Sequence, residues 1–232
     1  DCRKRKNSLR SLFEAVLYLL VTGCQWRMLP ARLSQVATGV LITSESGPKE
    51  GRIEHLLNKL VRKVRKKRNQ SESPSVGALD AQSVKWGNRK SDNGFDANKK
   101  VKGIKRNIVV DRNGFILART VCSASVHDSH QAHPLCNAAD REWNGLKRFL
   151  LDRVIEGRLL KILKKILQSA LRFPILQTGL RDSYRNLSDG WSRELSHGFD
   201  WFRRLSRNYE ESTEVAEEMI DLAAIKILLN QI

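Results

Sequence analysis

The hydrophobic spacing of this chain changes period at Asn69–Ser75, and that change limits the folds open to it. Before it, Leu9, Leu12, Phe13, Val16, Leu17, Leu19 and Leu20 recur at helical spacing, with Ser8 placed as an N-cap and Gly23 as a stop. This predicts a helix over 8–22. A second stripe, Ile53, Leu56, Leu57, Leu60, Val61 and Val64, predicts a helix over 51–68 with a strongly basic opposite face. Gln25–Pro30 reads as a turn, and residues 31–48 are too weakly patterned to assign. Asn69-Gln-Ser-Glu-Ser-Pro74-Ser reads as a linker.

After the linker, short apolar runs replace the helical stripes. Val76–Asp80 reads as a strand ending on a carboxylate, and Leu146–Asp152 as another. Residues 85–105, rich in Gly, Asn and Lys, read as a loop. Asn107–Asp111 and Gly114–Thr120 flank Arg112-Asn113 as a hairpin. Helices are expected over 129–143, 157–169, 190–205 and 209–230, and Arg172–Leu176 as a strand. Strands followed by strand–helix alternation predict an α/β domain over 76–232, preceded by a small all-helical domain over 1–68, with 69–75 between them.

Charge separates the same two halves. The 232 residues carry a net charge of +17, nearly all of it within the first 110 residues. A basic half on a near-neutral half reads as a grip for a polyanion, most simply nucleic acid. No apolar run reaches the ~18 residues of a membrane span, so no membrane is expected as a partner. Cysteines at 2, 24, 122 and 136 have no zinc-ligand spacing and are expected to be reduced thiols of a cytosolic protein. The start, Asp1-Cys2-Arg3-Lys4, has no initiating Met and reads as trimmed.

Asp80 and Asp152 end strands, and Glu194 lies on a late helix. Hard divalent cations take oxygen ligands, and a pair of them can activate an attacking oxygen and stabilise a leaving one in phosphoryl transfer. A carboxylate trio picked from sequence alone is far more often solvated surface. The local words narrow this. Ser8–Pro30, with Leu17-Tyr-Leu-Leu-Val-Thr-Gly-Cys-Gln-Trp-Arg-Met-Leu-Pro30, resembles the N-terminal region of bacterial insertion-sequence transposases of the insertion sequence 5 type. Ala78-Leu-Asp80-Ala-Gln-Ser-Val-Lys85 resembles that family's first-aspartate motif, and Gly94–Arg106 the lysine-rich segment after it. Leu146–Asp152 falls at the second aspartate. Trp191-Ser-Arg-Glu194 with Phe202–Glu210 resembles the closing glutamate motif.

The resemblance implies a DDE transposase with an RNase H-like catalytic domain built on a mixed sheet. It implies that Asp80, Asp152 and Glu194 are catalytic and hold two Mg²⁺ or Mn²⁺ ions. Its partners would be double-stranded DNA, as element terminal inverted repeats and target, and further copies of the chain in a homo-oligomer. The setting would be the bacterial cytoplasm, at the nucleoid. Lys85, Lys99, Lys100, Lys102, Lys105, Arg106, Arg203 and Arg204 would contact DNA, through phosphates that position it rather than bases that specify it. Three departures define the alternative of a catalytically inactive remnant that only binds DNA. Asp152 continues as Arg153-Val-Ile instead of Gly-Gly-Tyr, and residues 31–48 lack the aromatic-rich helix of the family. The stretch after Glu194, Leu-Ser-His-Gly-Phe-Asp-Trp, is about one residue shorter than the family's pattern. His127-Asp128 reads either as a support for the metal ligands or as a local loop pair, the latter being commoner. Asp111 reads as a turn residue, Trp26 as core and Cys24 as a small buried side chain.

Overall fold

The computed structural model describes residues 8–33, 51–87, 93–150, 175–176 and 198–232. Helix α1 spans Leu9–Thr22. Ser8 Oγ accepts the Ser11 N–H at 3.1 Å, and Gly23 turns into the left-handed region at φ 66 while its N–H bonds Leu19 O. Both ends therefore fall where the local signals place them. Ala15, Leu19, Leu29 and Leu33 form a small cluster with Trp26 and Cys24 packed beside it, both partly buried at its edge where the sequence suggested core.

Helix α2 spans Arg52–Lys67. Its residues Leu57, Val61 and Val64 are buried in the main core, Ile53 and Leu60 pack beside them, and Leu56 is exposed, unlike the expected stripe. That core also contains Leu20 of α1 and the strands that follow. Residues 69–75 are tied on both sides: Arg65 Nε donates to Ser71 O, Gly145 N–H to Ser73 Oγ and Lys147 N–H to Ser75 O, all within 2.9 Å.

The sheet has strands β1 (Val76–Lys85), β2 (Gly94–Asp96), β3 (Val101–Val110), β4 (Ile116–Ser123), β5 (Arg148–Leu150) and β6 (Ile175–Leu176). β1 pairs antiparallel with β3, and β3 with β2 and β4, while β5 pairs parallel with β1 and β6 parallel with β5. Three antiparallel pairings and two parallel ones join the six strands into a mixed sheet, consistent with an RNase H-like domain. The β3–β4 hairpin forms where expected. Asp111 Oδ1 accepts the N–H groups of Asn113 and Phe115, and Gly114 takes φ 73.

The stretch 85–105 corrects the loop expectation. β1 runs through to Lys85, which leaves Asp80 in mid-strand instead of at its end; β2 forms, and β3 starts at Val101. The glycines that suggested a loop are close-approach positions. A Cβ on Gly103 would stand 2.0 Å from Val84 O, and one on Gly94 2.2 Å from Ser123 Oγ.

Helix α3 (Asp128–Glu142) and helix α4 (Thr213–Leu229) cover opposite faces of the sheet. Lys105, register partner of Ser83 and Cys122, meets Asp128 at the start of α3. Arg119, in the row Asp80–Ile108–Arg119, meets Asp221 of α4. Odd and even positions of β3 face opposite ways, so the two rows lie on different faces. Ser212 Oγ caps α4 through the Val215 N–H. Of the helix expected over 190–205, residues 190–197 lie outside the described residues. Residues 198–200 are helical and Arg203–Ser206 form a 3-10 turn. Phe199, Phe202 and Leu205 are all buried, linked by i to i+3 backbone bonds, and this spacing of three suits a 3-10 path. The helix expected over 157–169 also lies outside the described residues.

Candidate active site and nucleic-acid interface

Asp80 stands on the central strand β1, exposed, with Oδ1 accepting the Ala81 N–H at 2.8 Å. Its neighbours along the strand, Leu79 and Ala81, point to the other face and are buried. The apolar run thus anchors the strand while one carboxylate projects from it. An exposed hard oxygen donor of this kind suits a divalent cation. Asp152 and Glu194 lie outside the described residues, and among the described residues no group of three or more His, Cys, Asp or Glu could hold a metal ion. The structure therefore brings one of the expected ligands into view and does not bring the trio together.

The basic residues divide by burial. Lys85, Lys99, Lys100, Lys102 and Arg203 are exposed. Lys105 and Arg106 are buried, which corrects the expectation that the whole lysine-rich segment meets phosphate. Lys105 Nζ lies 2.7 Å from Asp128 and 3.5 Å from Asp96, and donates to Val126 O. Arg106 sits near Glu210, and burial pulls its guanidinium down to about 10 against that carboxylate. Neither cation reaches an outside phosphate without unpacking the sheet. Arg204 is largely buried and bonds Glu210 at 2.8 Å, with its guanidinium 5.0 Å over the Tyr209 ring.

Two charged networks went unread in the sequence. Asp96 accepts Ser83 Oγ–H at 2.6 Å and the N–H groups of Asn98 and Lys99. Burial raises its carboxyl, but Ser83, those N–H groups and Lys105 outweigh it and lower the pKa to about 2. The network pins the turn that presents Lys99 and Lys100, the latter at φ 53. On the other face Arg119 joins Asp221 at 2.6 Å and Glu54 at 3.4 Å, tying α4 and α2 to β4. Burial pushes Asp221 up to about 7, Arg119 opposes it, and Glu54 and Glu217 reinforce it. His127 Nδ1 accepts the Ser129 N–H as the cap of α3, so it has the local role. Asp111 is buried against Arg65 of α2 in addition to shaping its turn. The only signal for these pairings was one acid and one base far apart in sequence, which spacing cannot join.

Residues 71–176 match the family model of the transposase DDE domain. This stretch is a transposase DDE domain. The match starts just ahead of β1 and ends with β6, so it takes in every described strand and α3. Neither the curated proteins nor the solved structures yield a match. The family as a whole acts on DNA with divalent metal ions, and Asp80 lies within the matched DDE domain, as does Asp152. Among the described residues no helix is long and apolar enough to cross a membrane.

Proposed function

We propose that this chain is a transposase of the insertion sequence 5 type, cutting DNA at the ends of its element and joining those ends to target DNA. Asp80, Asp152 and Glu194 are the metal ligands in this reading, with residues 76–232 as the catalytic domain and 1–68 adding to the grip on DNA. The chain works as a homo-oligomer on inverted repeats in the bacterial cytoplasm. The observation that carries it is register. Ala78 pairs with Leu150 in the parallel β1–β5 ladder. Asp80 lies two residues beyond Ala78, and Asp152 two beyond Leu150. Side chains two apart share a strand face, so Asp80 lies on the same face of β1 as Ala78. That face is the one over which the C-terminal helix α4 packs through Asp221 and Arg119.

Mg²⁺ or Mn²⁺ held by these carboxylates would supply Lewis-acid activation of the attacking oxygen and stabilise the leaving one. Water adds to the phosphorus at the element end, and the P–O3′ bond breaks to free a 3′-hydroxyl. That hydroxyl then attacks a target phosphodiester, loses its proton and displaces the target's own 3′ oxygen. The exposed Lys85, Lys99, Lys100, Lys102 and Arg203 hold the backbone through phosphates.

The test is cleavage and joining of a labelled element end, taken from the DNA flanking the gene, with Mg²⁺ or Mn²⁺. Joining by the wild-type chain that is abolished in Asp80→Asn, with duplex binding kept, is the expected result. Joining that survives in Asp80→Asn overturns the ligand assignment. A second reading rests on Arg153 and Val154, which stand where the family carries glycines. Duplex binding by the wild-type chain without cleavage under either metal favours that inactive form.

A further inference from the structure

The hairpin of β2 and β3 carries an aromatic–cation–aromatic row that the phosphoryl chemistry does not use. Phe95 pairs with Lys102 across β2 and β3. Lys85 pairs with Gly103, and Trp86 N–H bonds Lys102 O, so Trp86 stands across β1 and β3 from the same lysine. Directly opposite residues share a face. The three side chains therefore form one line, Phe95–Lys102–Trp86, at the edge of the sheet. Phe95 is 56 % exposed, Lys102 is exposed and Trp86 half-buried, with the Lys102 ammonium 5.3 Å from the Trp86 ring centroid.

A single exposed phenylalanine is ordinary. Here the aromatic sits in line with a lysine and a tryptophan, and beside the turn that presents Lys99 and Lys100. That turn is not loose, because buried Asp96 accepts the N–H groups of Asn98 and Lys99 and is itself held by Ser83 and Lys105. The row is anchored from behind as well. Trp86 bridges Asn208, and Gly87 N–H donates to Asn208 O at 2.6 Å. A rigid aromatic surface interleaved with cations is what a nucleotide strand with free bases recognises: bases stack on the rings and phosphates meet the ammonium groups. A paired duplex keeps its base faces inside the stack and offers only phosphate.

We propose that Phe95, Lys102 and Trp86 form a stacking platform for unpaired bases of single-stranded DNA, with Lys100 holding its phosphates. The platform lies six residues from Asp80 along β1, roughly 20 Å at the rise of a strand. It therefore takes up DNA away from the proposed chemistry, and from the strand-transfer reading it needs only that the chain binds DNA.

The experiment is fluorescence anisotropy of the full chain, without metal, against fluorescein-labelled oligothymidine and against a blunt hairpin duplex of equal phosphate number. Phe95→Ala is expected to weaken oligothymidine binding about 5- to 100-fold. Duplex binding should stay within about twofold, and the salt dependence should be unchanged, since no phosphate contact is lost. Phe95→Trp should retain the single-strand affinity. Equal melting temperatures for the variants and wild type establish that the fold is intact, as expected for an exposed side chain. Unchanged oligothymidine binding by Phe95→Ala, or an equal loss on both ligands, overturns the platform. The assay reads no cleavage, so failure here leaves the proposed transposase activity standing, and failure of strand transfer leaves the platform standing.

Discussion

Replacing Arg65 by methionine is the sharpest test of how the basic helix is fastened to the mixed sheet. Arg65 lies on α2 and Asp111 at the tip of the β3–β4 hairpin. Their side chains are ion-paired with 5 % of Arg65 and none of Asp111 exposed. Arg65 Nε also donates to Ser71 O, and Asp111 Oδ1 accepts from Asn113 and Phe115. Methionine keeps the unbranched apolar stem of the side chain and removes the guanidinium, which leaves the Asp111 carboxylate buried without its cation. Breaking a buried pair in this way costs about 3–5 kcal/mol. For a chain of this size that corresponds to a melting temperature lower by about 6–20 °C. Asp111→Asn keeps the turn acceptor and strands the arginine instead, so it too destabilises. The double variant carries neither charge and should recover about 1–3 kcal/mol relative to the sum of the single changes. Thermal and urea unfolding followed by circular dichroism reads all four proteins, at low and high salt, because a buried pair is little screened. A loss below about 1 kcal/mol in Arg65→Met, or strict additivity in the double variant, refutes the view that this pair joins the helix to the sheet.

Three further outcomes are expected. The Asp221 carboxyl is raised to about 7 in the fold, so its protonated form favours the folded state fully below pH ~4, and that contribution is lost as pH rises through about 7. Urea unfolding between pH 5 and 8 should show wild-type stability falling across this window and a flatter profile in Asp221→Asn; parallel profiles would disprove the assignment. Lys105→Met should cost about 3 kcal/mol by stranding Asp96 and Asp128, whereas Lys100→Gln should leave stability within about 0.5 kcal/mol while reducing the salt dependence of duplex binding by about one phosphate. Similar melting temperatures for the two variants would contradict the split between buried and exposed lysines. Burial next to Asp140 pushes the Cys136 thiol up to about 12, so a thiol reagent at pH 8 should leave it unmodified in the native chain and modify it on unfolding, as peptide mapping would report.

The features legible in the sequence are those made by neighbours along the chain. Ser8 and Gly23 bound α1 because a cap bonds within three or four residues of itself. Asp111–Gly114 turns the hairpin for the same local reason. Asp80 was legible as a carboxylate following an apolar run, and the matched DDE domain agrees with the words around it. What the tertiary structure decided is which charges face water. Val101–Val110 contains Lys102, Lys105 and Arg106 in one strand, with no alternation to tell them apart. Lys102 is exposed, while Lys105 meets Asp128 from the start of α3 and Arg106 faces Glu210 from the C-terminal segment. Gly94 and Gly103 read as loop residues until Ser123 and the Val84 carbonyl are packed against them. Phe199, Phe202 and Leu205 read as helix until the core takes up a spacing of three. A lysine's free energy depends on whether a carboxylate waits at the place it is buried, and a glycine's role on how near another strand comes. Both are set by pairings between distant segments, so the sequence by itself determined the local ends and turns, and the sheet determined which of its basic residues are free to meet DNA.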